Sequence, residues 1–530
     1  MGVERTSDLW WKNEVVYCLD VETYLDWDGD GIGDFVGLTE RLDYLQGMGV
    51  TCIWLMPFYA SPDRDDGYDV SDHYAVDARL GSAGDFVEMM RTARDRGIRV
   101  LADLVVHHTS IDHPWFRTRP DWYVWADEKP DDGLQPMQPG EQTDVWTYLP
   151  ERGKWYRHTF YAHQPDLDLA NDDVRREIGK IVGYWLALGV DGFRVDAVPY
   201  LLECGPEWEG RDPHDWMREL RAFIGRRRGE AVLLGEVNRK ADEVASYFGD
   251  DGDELQMQLC FLVNQAMYLA FARQDAQPIV DAIRSLPALP PGCQWAHFLK
   301  NHDELTLDLL SADERAEVMA AFGPDPDMQI YGRGLRRRLP SMFGGDGRRV
   351  RMAYSLLLSL PGTPVLLYGE EIGMGEDLAA EGRHSVRTPM QWSTEVNGGF
   401  STASADRLPE PVPDGPFGPA QVNVAAQRRD HDSLLNWFER VIRRRKETPE
   451  IGFGACTVLD PGNDAVFAHR IDWDGRVVLF LHNLSDVEQH VELEVDVDDC
   501  DGIVDLLDDR HIAVDETHRA SVDVESYGWR

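Results

Sequence analysis

The stretch "DGFRVDAVPYL", residues 191–201, reads as a short buried strand that carries charge where Val or Ile would be expected. Side chains alternate along a strand, so Arg194 and Asp196 point one way while Phe193 and Val195 point the other. A cation beside a carboxylate in a poorly solvated place favours the ionised form, which is what an anionic nucleophile needs. Other apolar runs end in ionisable residues too: Asp103 and His108 in "DLVVHH", Glu236 in "GEV", His302 and Asp303 in "KNHDE". Three carboxylates from three strands, Asp196, Glu236 and Asp303, converging on one mouth would push their pKa values apart. Carboxyl groups so tuned can do acid/base and nucleophilic chemistry on a sugar.

For these residues to meet, their strands must lie side by side. Short β-branched or apolar runs begin near residues 14, 51, 98, 189, 231, 294 and 363, separated by helical patterns such as "DFVEMMRTARDRG" and "VRREIGKIVGYWLALG" that end in Gly. Strand and helix alternation over roughly 430 residues predicts a parallel α/β fold, a closed (β/α)8 TIM barrel with its site at the carboxyl ends of the strands. "ELQMQLCF" at 254 supplies an eighth strand. The rhythm breaks at 109–165, a stretch rich in Pro, Asp and Trp that reads as an inserted functional subdomain between barrel portions 1–108 and 166–450. Alternating patterns such as "RVVLFLHN" and "VELEVDV" predict a C-terminal β-sandwich over 451–530.

The charge is extreme: 95 acidic against 53 basic residues, a net of −42 spread along the chain. Such a surface repels nucleic acid and anionic membrane, so neither is expected as a partner. Adaptation to molar salt, where a Debye length of ~3 Å screens the self-repulsion, is the expected reason. No run reaches the ~20 apolar residues of a membrane span. The amino terminus has no basic region followed by an apolar segment, and the seven Cys form no CxxC pair, so a cytoplasmic protein with free thiols is expected.

Taken in order, "DLVVHH", "GFRVDAVPY", "LLGEV" and "FLKNHDE", flanked by "QPDLD" at 164–168 and "GTPVLLYGEEIGM" at 362–374, resemble the strand motifs of the α-amylase superfamily of retaining α-glycoside enzymes. The resemblance covers nearly the whole chain. It implies Asp196 as nucleophile, Glu236 as general acid/base and Asp303 as the carboxylate that holds the sugar hydroxyls. It also implies that His108 and His302 bind the same sugar and that Arg194 orients Asp196. Asp103 belongs to the same constellation. Double displacement with retained α configuration would follow, with no organic cofactor.

"DWDGDGIGD", residues 26–34, offers Asp26, Asp28, Asp30 and Asp34 at a spacing calcium uses, although Gly37 at the twelfth position excludes an EF-hand. The resemblance implies a structural Ca2+ here, with the Ile32 carbonyl as a further ligand. Two residues depart from the family's usual Asn, His107 and Asp168, which puts any second metal site near the insertion in doubt. "QPDL" and "RTPMQWS" resemble the branch acting on small α-glucosides, in which Asp65, Tyr68 and Arg387 would line the pocket for a terminal glucose. Substrates are then maltose and short malto-oligosaccharides. Within that branch the motifs look most like the mutases that interconvert maltose and trehalose, while "GEVN" and "LLECGPEWEGRD" depart from them. Glucosyl transfer and plain α-glucosidase action stay open, with a non-catalytic relative as the remote alternative.

Overall fold

The computed structural model describes residues 7–202, 208, 210–495 and 502–530. Eight strands form a closed barrel: β1 (Val16–Leu19), β2 (Cys52–Leu55), β3 (Arg99–Leu104), β4 (Gly192–Val195), β5 (Val232–Gly235), β6 (Met257–Leu259), β7 (Gln294–Phe298) and β8 (Thr363–Leu367). Each strand lies parallel beside its sequence neighbour, and Val16 of β1 opposite Val365 of β8 closes the ring. The run at 254 supplies β6, so all eight expected strands are present.

Helices pack outside the ring because their apolar residues recur at helical spacing. Helix α1 (Phe35–Met48) buries Phe35, Leu38, Leu42, Leu45 and Met48. It starts at Asp34, whose carboxylate accepts from Gly37 N, and stops at Gly49, whose φ of 97° only glycine adopts without strain. A Ser82/Asp85 capping box starts α2 (Ala83–Asp95). Trp185 of α3 (Asp172–Leu188) meets Phe58 and Phe86 edge-on in the layer between helices and barrel. Around the ring follow α4 (His214–Arg227), α5 (Phe261–Arg273), α6 (Gly347–Ser359) and α7 (Leu434–Glu447).

The segment between β3 and α3 folds into a small antiparallel sheet of Trp125–Ala126, Trp146–Leu149 and Lys154–Arg157. Stacked Phe116 and Trp125 and the buried Val124, Val145 and Trp146 hold it together, which explains its aromatic content without a helical period. After α7 come antiparallel strands β9 (Ala455–Val458), β10 (Val466–Trp473), β11 (Arg476–Asn483), β12 (Gln489–Glu494) and β13 (Arg519–Val524). Alternate residues of these strands, including Ala468, Leu481, Val491 and Val522, share a core separate from the barrel's. This part docks on α6 through the His469 ring, which donates to Ser359 O.

Candidate active site

The charged strand β4 is buried throughout, and Arg194 is 1% exposed. Register puts Asp103 of β3 directly beside Arg194, with Leu234 of β5 on the other flank. Its Nη1 donates to Asp103 Oδ1 at 2.8 Å and to Asp196 Oδ1 at 2.6 Å, and its Nη2 donates to Glu236 Oε2 at 2.6 Å. One guanidinium thus gathers carboxylates from three consecutive strands. It rests 5.1 Å from the Trp54 ring centroid, and Trp54 Nε1 donates to Asp103 Oδ2. Ala197, just after Asp196, has a φ of 46°, a conformation non-glycine residues avoid. That turn lets its amide donate to Glu236 Oε2 at 3.2 Å. Strain at this position serves to fix one carboxylate against the other.

Asp303 comes from the turn after β7. His302 Nε2 lies 3.2 Å from its Oδ2, while Arg383 Nη1 at 2.5 Å and Arg387 Nη2 at 3.0 Å donate to its Oδ1. Tyr68 stacks on His302; its hydroxyl donates to Asp103 Oδ2 at 3.1 Å and lies 2.7 Å from His302 Nε2. His108 is fixed by donating from Nε2 to Tyr68 O. Asp65 accepts from Arg383 Nη2 at 3.0 Å and from Gln164 of the "QPDLD" segment at 2.7 Å.

Electrostatics separate the carboxyl groups. Burial raises Glu236 to about 7, with Arg194 opposing and the charges of Asp196 and Asp303 adding. Burial likewise raises Asp196 to about 6, and Arg194 only partly offsets it. The cation therefore does not return Asp196 to the ordinary carboxylate range. Asp103 reaches about 6 by the same balance. Burial opposes ionisation of Asp303 too, but the guanidinium charges of Arg383 and Arg387 outweigh it and hold that carboxyl below its usual value. Burial keeps the His302 ring neutral. The site thus joins a carboxyl that keeps its proton near neutrality to carboxylates that give theirs up, the division acid/base catalysis requires.

A cavity of about 160 Å³ opens on these groups. Of the residues expected from sequence, Asp65, Tyr68, His108, Asp196, Glu236 and Asp303 line it. Asp103, Arg194, His302 and Arg387 sit behind that wall and hold it in place. Arg387 reaches Asp303, Asp66 and His302 O, and in its place Arg383, four residues earlier in "GRHSVRTP", faces the cavity. The 3-10 turn Gly382–Val386 decides which of the two points inward, and no strand or helix period encodes that. Sequence reasoning also missed Met137, Gln138, Phe160, Tyr200, Tyr331 and Arg333 in the lining. Met137 belongs to the insertion; its carbonyl accepts from Arg333 at 2.8 Å and its sulfur lies 2.9 Å from the Tyr200 hydroxyl. The insertion forms part of the cavity's lining, a partial roof.

In the acidic loop, Asp26, Asp28 and Asp34 bring one carboxylate oxygen each within 4.8 Å of one another. Burial raises the Asp34 carboxyl, and Asp28 and Asp26 add to it, so this donor set suits a hard cation. Asp30 stands outside the cluster and accepts from the amide of Ile32, which is half-buried. Of the departures near the insertion, Asp168 is hydrogen-bonded within the protein, while the buried His107 ring leaves its Nε2 without a hydrogen-bond partner among the described residues. His107 Nδ1 lies 3.6 Å from Asp166, which Arg157 and Thr159 also hold, and Asp168 accepts from Ala170 N. Much of "LLECGPEWEGRD" lies outside the described residues.

Residues 21–320 and 336–454 match the α-amylase catalytic domain, and 475–530 match the sucrose hydrolase-like C-terminal domain. The chain is 41% identical over 505 residues to the trehalose synthase/amylase of Mycobacterium tuberculosis (strain ATCC 25618 / H37Rv), covering 92% of this chain and 84% of that protein. It is also 41% identical over 501 residues to the trehalose synthase of Thermus thermophilus, across 92% of this chain and 52% of that one. The crystal structure of the α-amylase from H. orenii superposes with a TM-score of 0.78 at 27% identity, covering 98% of each chain.

Proposed function

Since the chain belongs to the α-amylase family and is an α-glucoside-active enzyme, we propose that it isomerises maltose to trehalose by moving one glucosyl unit within a closed pocket. Asp196 is the nucleophile, Glu236 the acid/base and Asp303 the anchor of the sugar hydroxyls. Glu236 gives its proton to the glycosidic oxygen as Asp196 attacks the anomeric carbon, forming a glycosyl ester. Glu236, now a carboxylate, takes the proton of the hydroxyl that releases the ester, and two inversions retain the α configuration. Shared attachment of both carboxyl groups to Arg194 supports this pairing, as does the higher value of Glu236.

Whether water or the freed glucose attacks depends on confinement. The observation that carries the transfer reading is the roof: Met137 tied to Arg333 and Tyr200 over a cavity of about 160 Å³. A leaving sugar held under such a roof meets the ester before it escapes. Hydrolysis is the second reading, favoured by the word amylase in the name of the M. tuberculosis relative. Incubation with maltose in concentrated KCl, followed by NMR, separates them. Trehalose accumulating ahead of glucose is expected, and glucose alone would replace transfer by hydrolysis.

Three further parts of the proposal rest on composition and local chemistry. Asp26, Asp28 and Asp34 would hold a structural Ca2+, whose charge would offset their mutual repulsion beside the start of α1. The net charge of −42 supports a protein that works in molar salt. The free thiols Cys18, Cys52, Cys260, Cys293 and Cys456 support a reducing, cytoplasmic setting. No helix among the described residues is long and apolar enough to cross a membrane.

A further inference from the structure

In the turn that leaves β7 and carries His302 and Asp303, five peptide carbonyls find a side-chain donor. Phe298 O and Leu299 O accept from Asn264 of α5, and Leu299 O also from Tyr268. His302 O accepts from Arg387 Nε. The remaining two, Asn301 O and Asp303 O, both accept from the Nζ of Lys300. Lys300 is 1% exposed and makes no ion pair with a carboxylate among the described residues. A buried ammonium without a carboxylate is costly to desolvate, and it is retained where its donors hold something specific.

We propose that Lys300 is a positioning residue for the reaction: by clamping the carbonyls of Asn301 and Asp303 it fixes the turn that aims the Asp303 carboxylate at the sugar. This rests on the reading of Asp303 as the group that anchors the sugar hydroxyls. The clamp acts with a second one, since Asp303 N donates to Asn301 Oδ1 at 3.2 Å. Together they leave the Asp303 side chain free to turn only about its own bonds, between Arg383 and Arg387 on one oxygen and His302 on the other. Burial lowers the Lys300 ammonium to about 7, with Asp303 and Glu304 opposing and Arg338 and Arg387 adding, so the clamp weakens as pH rises past neutrality. Removal of the Lys300 donor would leave the Asn301 and Asp303 carbonyls without it beside the site. The turn would then relax, and displacement of a reacting geometry by ~1 Å costs about 10²-fold in rate.

The test compares wild type, Lys300→Met and Lys300→Arg on maltose, with thermal melting of each. It adds Lys300→Met in an Asp303→Asn background, where an aryl α-glucoside keeps the rate measurable. Expected are a kcat lowered about 10²-fold in Lys300→Met with KM little changed, and recovery of at least about tenfold in Lys300→Arg, which can still donate to both carbonyls. In the Asp303→Asn background the same change should cost less than about threefold, because coupled residues are not additive. A Lys300→Met enzyme with near wild-type kcat beside an inactive Asp303→Asn would overturn the role of Lys300 alone. So would an equal loss in both backgrounds. Full activity of Asp303→Asn would remove the reading of Asp303 itself, and the clamp's role with it. Should Lys300→Met fail to fold, Lys300→Leu, likewise without a donor, is held to the same outcomes.

Discussion

Arg194→Met removes the cation that gathers Asp103, Asp196 and Glu236 while keeping a side chain that fills much of the space. In the wild type Asp196 sits at about 6, so at pH 7 about nine-tenths of it is ionised. An opposite charge in contact lowers a carboxyl by ~1–3 units, so without Arg194 the group should move to about 7–9 and its ionised share at pH 7 to between about one half and one in a hundred. Glu236 shares the guanidinium through Nη2 and should rise from about 7 by a similar amount. Both limbs of the kcat/KM profile should therefore shift to higher pH together. The variant should lose most activity at pH 6 and comparatively little at pH 9. The assay is kcat/KM for an aryl α-glucoside across that range, with melting recorded at each pH, because breaking a buried ion pair costs ~3–5 kcal/mol of stability. A profile that falls at every pH without moving would refute the reasoning: Arg194 would then hold the strands together without tuning the carboxyl groups.

Asp196→Asn should leave the fold intact and activity below about 1%, measured as turnover of maltose, since losing a covalent nucleophile costs several orders of magnitude. Glu236→Gln should be more stable than wild type at pH 8 and equal to it near pH 4. The raised wild-type carboxyl contributes stability that is full below its unfolded value of 4.5 and is lost as pH rises through about 7. That loss amounts to up to ~3 kcal/mol, and an unchanged difference between the two pH values in denaturant titrations would count against it. The melting temperature should rise between about 0.1 and 3 M KCl as screening relieves the net charge, and a flat or falling curve would reject adaptation to salt. A calcium chelator should lower the melting temperature of the wild type but not of Asp26→Ala; equal responses would argue against an ion in the acidic loop.

The barrel was legible because its strands are short apolar runs, three of them followed at once by Asp20, Asp196 and Glu236, and because helices such as α3 and α7 have a clear period. β6 was the weakest because Met257–Leu259 is only three residues long, and the polar Gln256 and Gln258 flank its apolar side chains. Asp196, Glu236 and Asp303 could be placed on one cavity because they sit just past strand ends, where the barrel fixes direction. Arg387 and Arg383 show the limit of that logic. Both lie in an irregular turn, and their direction follows from which carboxylate each meets, Asp66 for one and Asp65 for the other. Met137 and Arg333 are further apart in sequence than any local pattern reaches, and their contact exists only once the insertion has folded over the barrel.

The same distinction bears on transfer against hydrolysis. In the proposed mechanism the chemistry up to the glycosyl ester uses Asp196, Glu236 and Arg194, groups fixed by neighbouring strands whose register tolerates no slip without turning every side chain to the other face. In the same proposal the step that decides the product uses the roof, where Arg333 donates to Met137 O and the Tyr200 hydroxyl lies at the Met137 sulfur. The Tyr200 contact is neutral and contributes about 0.5–1.5 kcal/mol, and the charged Arg333 donor about 1.5–3 kcal/mol; breaking the buried ion pairs of Arg194 costs ~3–5 kcal/mol, so opening the roof is easier than disturbing the carboxyl groups. Product choice should therefore change through substitutions at Arg333 or in the insertion while the rate of ester formation stays nearly constant.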